Sequence, residues 1–167
     1  SLTVDAGHGM NDLLCVITTT GQMIIYEGLD PTDEQDWRLT ARIKGAAPLG
    51  PRAFCQIGSD AWMLTSQGPV SIGQAVRESV LALVSDVARP IADDIASLVR
   101  AGPAEWQMFT ADDGSMVVIN RYADGAAQQF IYYLDSRAWG TADFPARDWH
   151  NLGGVPQITG TNGRLGS

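Results

Sequence analysis

Two histidines, two cysteines and a few acidic turns are the side chains of this 167-residue sequence with the types to do chemistry. His8 follows Asp5 by three residues in Asp5-Ala6-Gly7-His8-Gly9-Met10. A carboxylate beside an imidazole is half of an acid–base device. No nucleophile accompanies it: the sequence contains neither Gly-x-Ser-x-Gly nor Ser-x-x-Lys. A loop or turn is the simpler role for His8. His150 follows Trp149 in an expected strand, and its default role is packing.

Metal and cofactor chemistry finds as little support. Zinc sites need Cys and His clustered at short spacing, and Cys15, Cys55, His8 and His150 are dispersed. Each cysteine sits in an apolar run, so both read as buried free thiols; two cysteines do not make a disulfide framework. The acidic turns at Asp30 to Asp36 and at Asp112-Asp113 lack the alternating ligands, central glycine and distal glutamate of an EF-hand. They read as solvated turns. No glycine-rich phosphate cradle is present. The expectation is a protein that is not an enzyme, with no catalytic, cofactor-binding or metal residues.

Composition turns attention from sites to surfaces. With 45% hydrophobic residues the chain can build a core. Charged residues are 18%, against about 25% in ordinary soluble domains, so part of the surface is expected to lie under neighbours. The net charge of −8 argues against ordinary nucleic-acid binding, which needs Lys and Arg to neutralise phosphates. It is compatible with DNA passing close by without sticking, although solubility alone also accounts for it. No secretory pattern opens the sequence, and no apolar run is long enough to span a bilayer. The ends, Ser1-Leu2-Thr3 and Arg164-Leu165-Gly166-Ser167, read as cut from a longer protein.

The elements that would hold these residues repeat. Ile17 to Ile25, Met63 to Ile72 and Phe109 to Ile119 each read as an apolar strand, a short polar turn with glycine, and a second apolar strand. Ile158 to Leu165 is a weaker fourth copy. The turn glycines Gly21, Gly68, Gly114 and Gly163 stand 47, 46 and 49 residues apart. Glycine supplies positive φ in a tight hairpin, and β-branched and aromatic flanks favour strands. A period of about 40–50 residues matches a four-stranded propeller blade.

The expected fold is therefore mainly β: propeller-like, four-stranded blades forming a partial propeller, with a two-helix insertion at about residues 73–101. Residues 1–167 form one domain, a fragment of a larger propeller, in units of about 1–45, 46–103, 104–145 and a partial 146–167. In the insertion, Val76, Val80, Leu83, Val84 and Val87 follow helical spacing, as do Ile91, Ile95, Leu98 and Val99 after Arg89-Pro90. Ala101-Gly102-Pro103 ends the second stripe. The two helices are expected to replace the outer strands of that blade, packing on its flank and offering a surface for a neighbouring subunit.

The five tryptophans, Trp37, Trp62, Trp106, Trp139 and Trp149, keep a carbohydrate-binding propeller in view; Trp37 and Trp139, each after a polar turn that follows a Tyr-bearing strand, read as repeat landmarks more than as ligands. Core packing is the alternative role for Trp62, Trp106 and Trp149. Thr110-Ala111-Asp112-Asp113-Gly114 resembles the Asp-box turn of sialidase-like propellers, with Val117 where the box carries tryptophan. That box is a turn device, and a hydrolase would need arginines and acids gathered in one pocket. Arg52, Arg77, Arg121 and Arg147 are scattered along the sequence.

One set of segments resembles a known family. Thr3 to Gly9, Val16 to Tyr26 followed by Glu27-Gly28-Leu29-Asp30-Pro31, then Trp37, and Gly50-Pro51-Arg52 leading into Leu64-Thr65-Ser66-Gln67-Gly68 are similar to propeller-bearing tail nozzle and head-to-tail connector proteins of tailed bacteriophages. Gln129 to Trp139 is similar to their late blades. The likeness covers roughly residues 3–140. It implies a virion structural protein that forms a ring, usually six-fold, around the DNA exit channel. The implied partners are other copies of itself, portal or other tail proteins, and genomic double-stranded DNA passing nearby without specific binding. The implied location is the phage tail, assembled in the host cytoplasm. The resemblance assigns no catalytic residue.

Overall fold

The computed structural model describes the chain except at residues 1, 5–12, 29, 31, 34, 35, 80–84, 112, 113, 153, 154, 161–164 and 167. His8 and its Asp5, the Asp112-Asp113 turn, the Gly163 turn and the stripe residues Val80, Leu83 and Val84 lie outside the described residues. The rest is mainly β, in four antiparallel sheets that follow one another along the sequence.

Sheet one takes strands β1 (Leu2–Val4), β2 (Leu13–Ile17), β3 (Gln22–Glu27) and β4 (Arg38–Lys44) in that order. Alternation decides its inner face: Cys15, Met23, Ile25 and Ile43 are all buried. The β2–β3 turn closes on Gly21, whose φ is +81° and whose N–H donates to the Thr18 carbonyl at 3.0 Å. A Cβ there would stand 2.4 Å from the Gly45 carbonyl oxygen, so only glycine fits both the conformation and the space.

Sheet two is β5 (Phe54–Ile57), β6 (Asp60–Thr65) and β7 (Gly68–Ser71). It is apolar on both faces. Ala61, Met63 and Val70 join the inner face of sheet one in a first core. Cys55 and Leu64 join Trp106, Met108, Val117, Ile119, Phe130 and Tyr132 of sheet three in a second. Met63 and Leu64, 1% and 0% exposed, thus enter different cores from adjacent positions. Complete burial of such a side chain contributes about 1.5–3 kcal/mol.

Helix α1 (Ile72–Glu78) follows β7 directly. The Ser71 hydroxyl caps it by accepting the Gln74 N–H at 2.9 Å, and donates in turn to Asp60 Oδ2 at 2.6 Å. Asp60 Oδ1 accepts the N–H groups of Ala61 at 2.7 Å and Gly73 at 2.8 Å. The helix stops at Glu78, because Ser79 turns left-handed with φ 53° and directs its N–H to the Val76 carbonyl. This corrects the expected stripe through Val87: that residue lies in a turn ahead of a short 3-10 segment at Arg89–Ile91 and helix α2 (Ala92–Ala101). The insertion also replaces less than expected. Among the described residues sheet two has three strands, and α1 follows the last of them.

Sheet three is β8 (Glu105–Ala111), β9 (Met116–Ala123), β10 (Ala126–Tyr133) and β11 (Ala138–Ala142), again a meander. Asp124 and Gly125 both take positive φ, 51° and 81°, as a two-residue hairpin of the Asp-Gly kind requires. Sheet four is β12 (Ala146–Leu152), β13 (Val155–Gly160) and β14 (Leu165–Gly166). His150 lies on β12. No closed ring of sheets forms among the described residues.

Candidate functional site

The face of sheet one that turns away from the first core carries a cluster of apolar side chains beside Arg42 and the Gln22–Lys44 pair. Cross-strand register aligns Val16 with Ile24 and Arg42, and Leu14 with Tyr26 and Leu39. Val16 and Leu39 are 41% and 44% exposed. A bulge between Ile25 and Tyr26 brings Leu39 opposite Tyr26 and leaves Thr40 unpaired. An antiparallel sheet with one solvated face normally carries polar residues there, and a contiguous apolar face marks an interaction surface. At the rim, Tyr26 and Trp37 stack with centroids 5.9 Å apart and planes 8° off parallel. Arg38 pairs with Glu27 at 3.1 Å. The edge strand β4 carries Arg38, Arg42 and Lys44, all exposed, on an otherwise acidic chain.

The tryptophans are occupied by packing. Trp106 is buried in the second core. Trp62 lies 5.7 Å from Tyr132, and Tyr132 lies 4.9 Å from Trp139, both tilted. Trp139 Nε1 also donates to the Val87 carbonyl at 2.7 Å, tying the turn before α2 to sheet three. Trp149 stacks on Phe109 at 5.1 Å. Trp37 and Trp139, read from the sequence as repeat landmarks, thus each rest one ring against a tyrosine.

Sheet four is fastened to sheet three by side-chain amides. Gln107 holds the backbone of Trp149 from both sides, and Gln129 does the same for Phe144, donating to its carbonyl at 3.1 Å and accepting its N–H at 2.9 Å. Gln129 also donates to Asn120 Oδ1 at 2.7 Å, and Asn120 donates to the carbonyls of Ala146 and Arg147. Asn120 and Gln129 are 1% and 0% exposed. Buried polar groups persist when every bond is made, and here two amides satisfy four backbone groups on the segment entering β12. Phe144, held this way, remains 53% exposed.

Two of the four scattered arginines meet. Arg147 donates to Glu105 through Nη2 at 2.8 Å and Nε at 3.4 Å. Arg52 pairs with Asp148 and approaches Glu105 at 3.8 Å. The Arg147 hydrogen bond, helped by the charges of Arg147 and Arg52, holds the Glu105 carboxyl below its ordinary range. The cluster joins residues 42 and 96 positions apart, a separation no local motif signals. Each acid is matched by an arginine, so the arrangement locks sheets together rather than leaving a carboxylate free to move protons. Arg77 and Arg121 lie outside this cluster.

The cysteines are buried and free, one in each core. Burial pushes the Cys15 thiol up to about 11. Burial, reinforced by the negative charge of Asp60, pushes Cys55 to about 12. Thiols so shifted are poor nucleophiles. Among the described residues, no group of three His, Cys, Asp or Glu is placed to hold a metal ion. No helix among them is long and apolar enough to cross a membrane. No family model, curated protein or solved structure matches this chain.

Proposed function

We propose that this chain is a non-catalytic structural module: successive blades of a propeller-like stack, serving as a tail nozzle, hub or head-to-tail connector subunit of a tailed-bacteriophage virion. In this reading copies of the chain form a ring, six-fold in the related proteins, against portal or other tail proteins, around a channel through which genomic DNA slides. The observation that carries the reading is the apolar cluster on the outer face of sheet one, where Val16 and Leu39 are 41% and 44% exposed among the described residues. Sheets one, two and three bury their facing sides in two successive cores, and the outer face of sheet one is chemically prepared to continue that series. A heterologous contact of this kind closes into a ring when its rotation permits. The resemblance of residues 3–140 to phage tail and connector proteins supports the specific assignment, and the net charge of −8 suits a wall that DNA must not adhere to.

Assembly state is the test. Light scattering and electron microscopy of the full-length protein, alone and with the portal and tail proteins of the same phage, are expected to give rings. Val16→Glu combined with Leu39→Glu is expected to abolish them while circular dichroism stays unchanged. A monodisperse monomer that never joins portal or tail proteins sinks the reading.

A further inference from the structure

Arg121 lies on β9, the strand next to Glu105 and its two arginines. Arg52 and Arg147 are matched by acids, whereas Arg121 has no carboxylate within ion-pair distance among the described residues. Its guanidinium carbon lies 6.0 Å from the Trp106 ring centroid. Its Nε is buried and has no hydrogen-bond partner among the described residues. With Nε closed off from solvent, the terminal guanidinium nitrogens are the donors that a ligand could reach.

The side chain lines a cavity of about 530 Å³ at one end of sheet three. That size falls within the range of small-molecule sites, roughly 300–1,000 Å³. Register places the polar walls: Arg121 pairs with Gln128 across β9 and β10, and Phe130 pairs with Thr141 across β10 and β11. Arg121, Gln128 and Thr141 therefore share one face of the sheet. Asp143, just beyond β11, completes the polar lining, and Ala126, Ala127 and Ala142 supply the rest of it.

The wall chemistry restricts the occupant. A guanidinium presents a planar fork that matches a carboxylate. Gln128 and Thr141 both donate and accept, while ionised Asp143 only accepts. Asp143 therefore repels a second negative charge and suits a hydroxyl. No aromatic ring lines the cavity to receive a flat apolar ligand. We propose that this cavity binds a sugar acid of the hexuronate class, free or within a polysaccharide, with its carboxylate on Arg121 and its hydroxyls on Gln128, Thr141 and Asp143. The site lies on sheet three rather than on the outer face of sheet one, and no tryptophan is among its lining residues.

The test is a titration of the folded chain with glucuronate, followed by amide NMR and calorimetry, with glucose and acetate as controls and an oligouronate as the polymer arm. Saturable shifts confined to residues around Arg121, Gln128, Thr141 and Asp143 are expected. Glucose and acetate are expected to bind at least about tenfold more weakly, since each lacks half of the recognised groups. Arg121→Gln is expected to weaken glucuronate about tenfold or more. Binding of the oligouronate alone assigns the site to a polymer and supports the proposal. Acetate binding as tightly as glucuronate reduces the site to a bare anion contact and overturns it. So does the absence of shifts with both uronates, or unchanged affinity in a folded Arg121→Gln protein. Should that variant unfold, Thr141→Val and Asp143→Asn decide: weakened binding in either supports the site, and unchanged affinity in both overturns it.

Discussion

The side-chain amide of Gln107 meets the backbone of Trp149 twice: Nε2 donates to its carbonyl at 2.6 Å, and Oε1 accepts its N–H at 3.1 Å. One side chain thereby imitates a rung of β-ladder between two sheets that do not pair. Gln107→Ala removes both bonds and leaves two backbone groups to find other partners. A loss of about 1–3 kcal/mol is expected. Urea denaturation measures the total, and amide exchange at Trp149 should accelerate more than exchange in β2 or β3. Uniform acceleration throughout the chain would show that the clamp is not local.

Gln129 is expected to be less tolerant. Gln129→Leu preserves volume but strands Asn120 Oδ1 and both backbone groups of Phe144. Removing one side of a buried network costs the desolvation of every group left behind. The expected loss is about 3 kcal/mol or more. The double variant Gln129→Leu with Asn120→Leu, measured in a thermodynamic cycle, should be less destabilised than the sum of its single variants.

Asp60 makes three bonds, to Ala61, Gly73 and the Ser71 hydroxyl, of which the Gly73 bond enters α1 and the Ser71 bond steadies its cap. Asp60→Ala should destabilise the protein by about 1–3 kcal/mol, with helix signal in α1 lost ahead of the sheets on heating. Asp60→Asn also removes the negative charge that helps raise Cys55. The Cys55 thiol should then titrate lower, although burial keeps it above the ordinary value of 9.0. Thiolate absorbance against pH reads this directly.

The cysteines make stability fall at alkaline pH. Their folded values, about 11 for Cys15 and about 12 for Cys55, exceed the ordinary 9.0. Above pH 9 the unfolded chain releases thiol protons that the folded chain retains, so rising pH favours unfolding. The contribution is complete below pH 9 and disappears as pH passes through about 11 and then about 12. Denaturation midpoints between pH 8 and pH 11 should decline, and the Cys15→Ala, Cys55→Ala double variant should decline less. Native protein at pH 8 should resist thiol-specific alkylation until it unfolds.

The sheets were legible because strand alternation and turn chemistry act over short distances. Gly21, Gly68 and Gly114 all carry positive φ, at 81°, 102° and 89°. Other features depend on contacts that sequence spacing does not encode. The apolar period after Val76 continues toward Val87, but a left-handed Ser79, without the usual glycine, ends the helix first. Asn120 and Gln129 sit in strands where a polar residue suggests solvent, yet they are buried by pairing with each other and with the backbone leading into β12. Arg52 and Arg147 look unrelated until folding brings both to Glu105. The tryptophans signalled ring-rich packing correctly in kind, but only the fold reveals that Tyr132 lies between Trp62 and Trp139.

Adjacent residues Met63 and Leu64 serve separate cores. A chain cut in the Gly45–Ala47 link would therefore yield two pieces, each with a half-finished core and a matching surface. Those pieces should recognise one another without a covalent tie, much as split reporter proteins do.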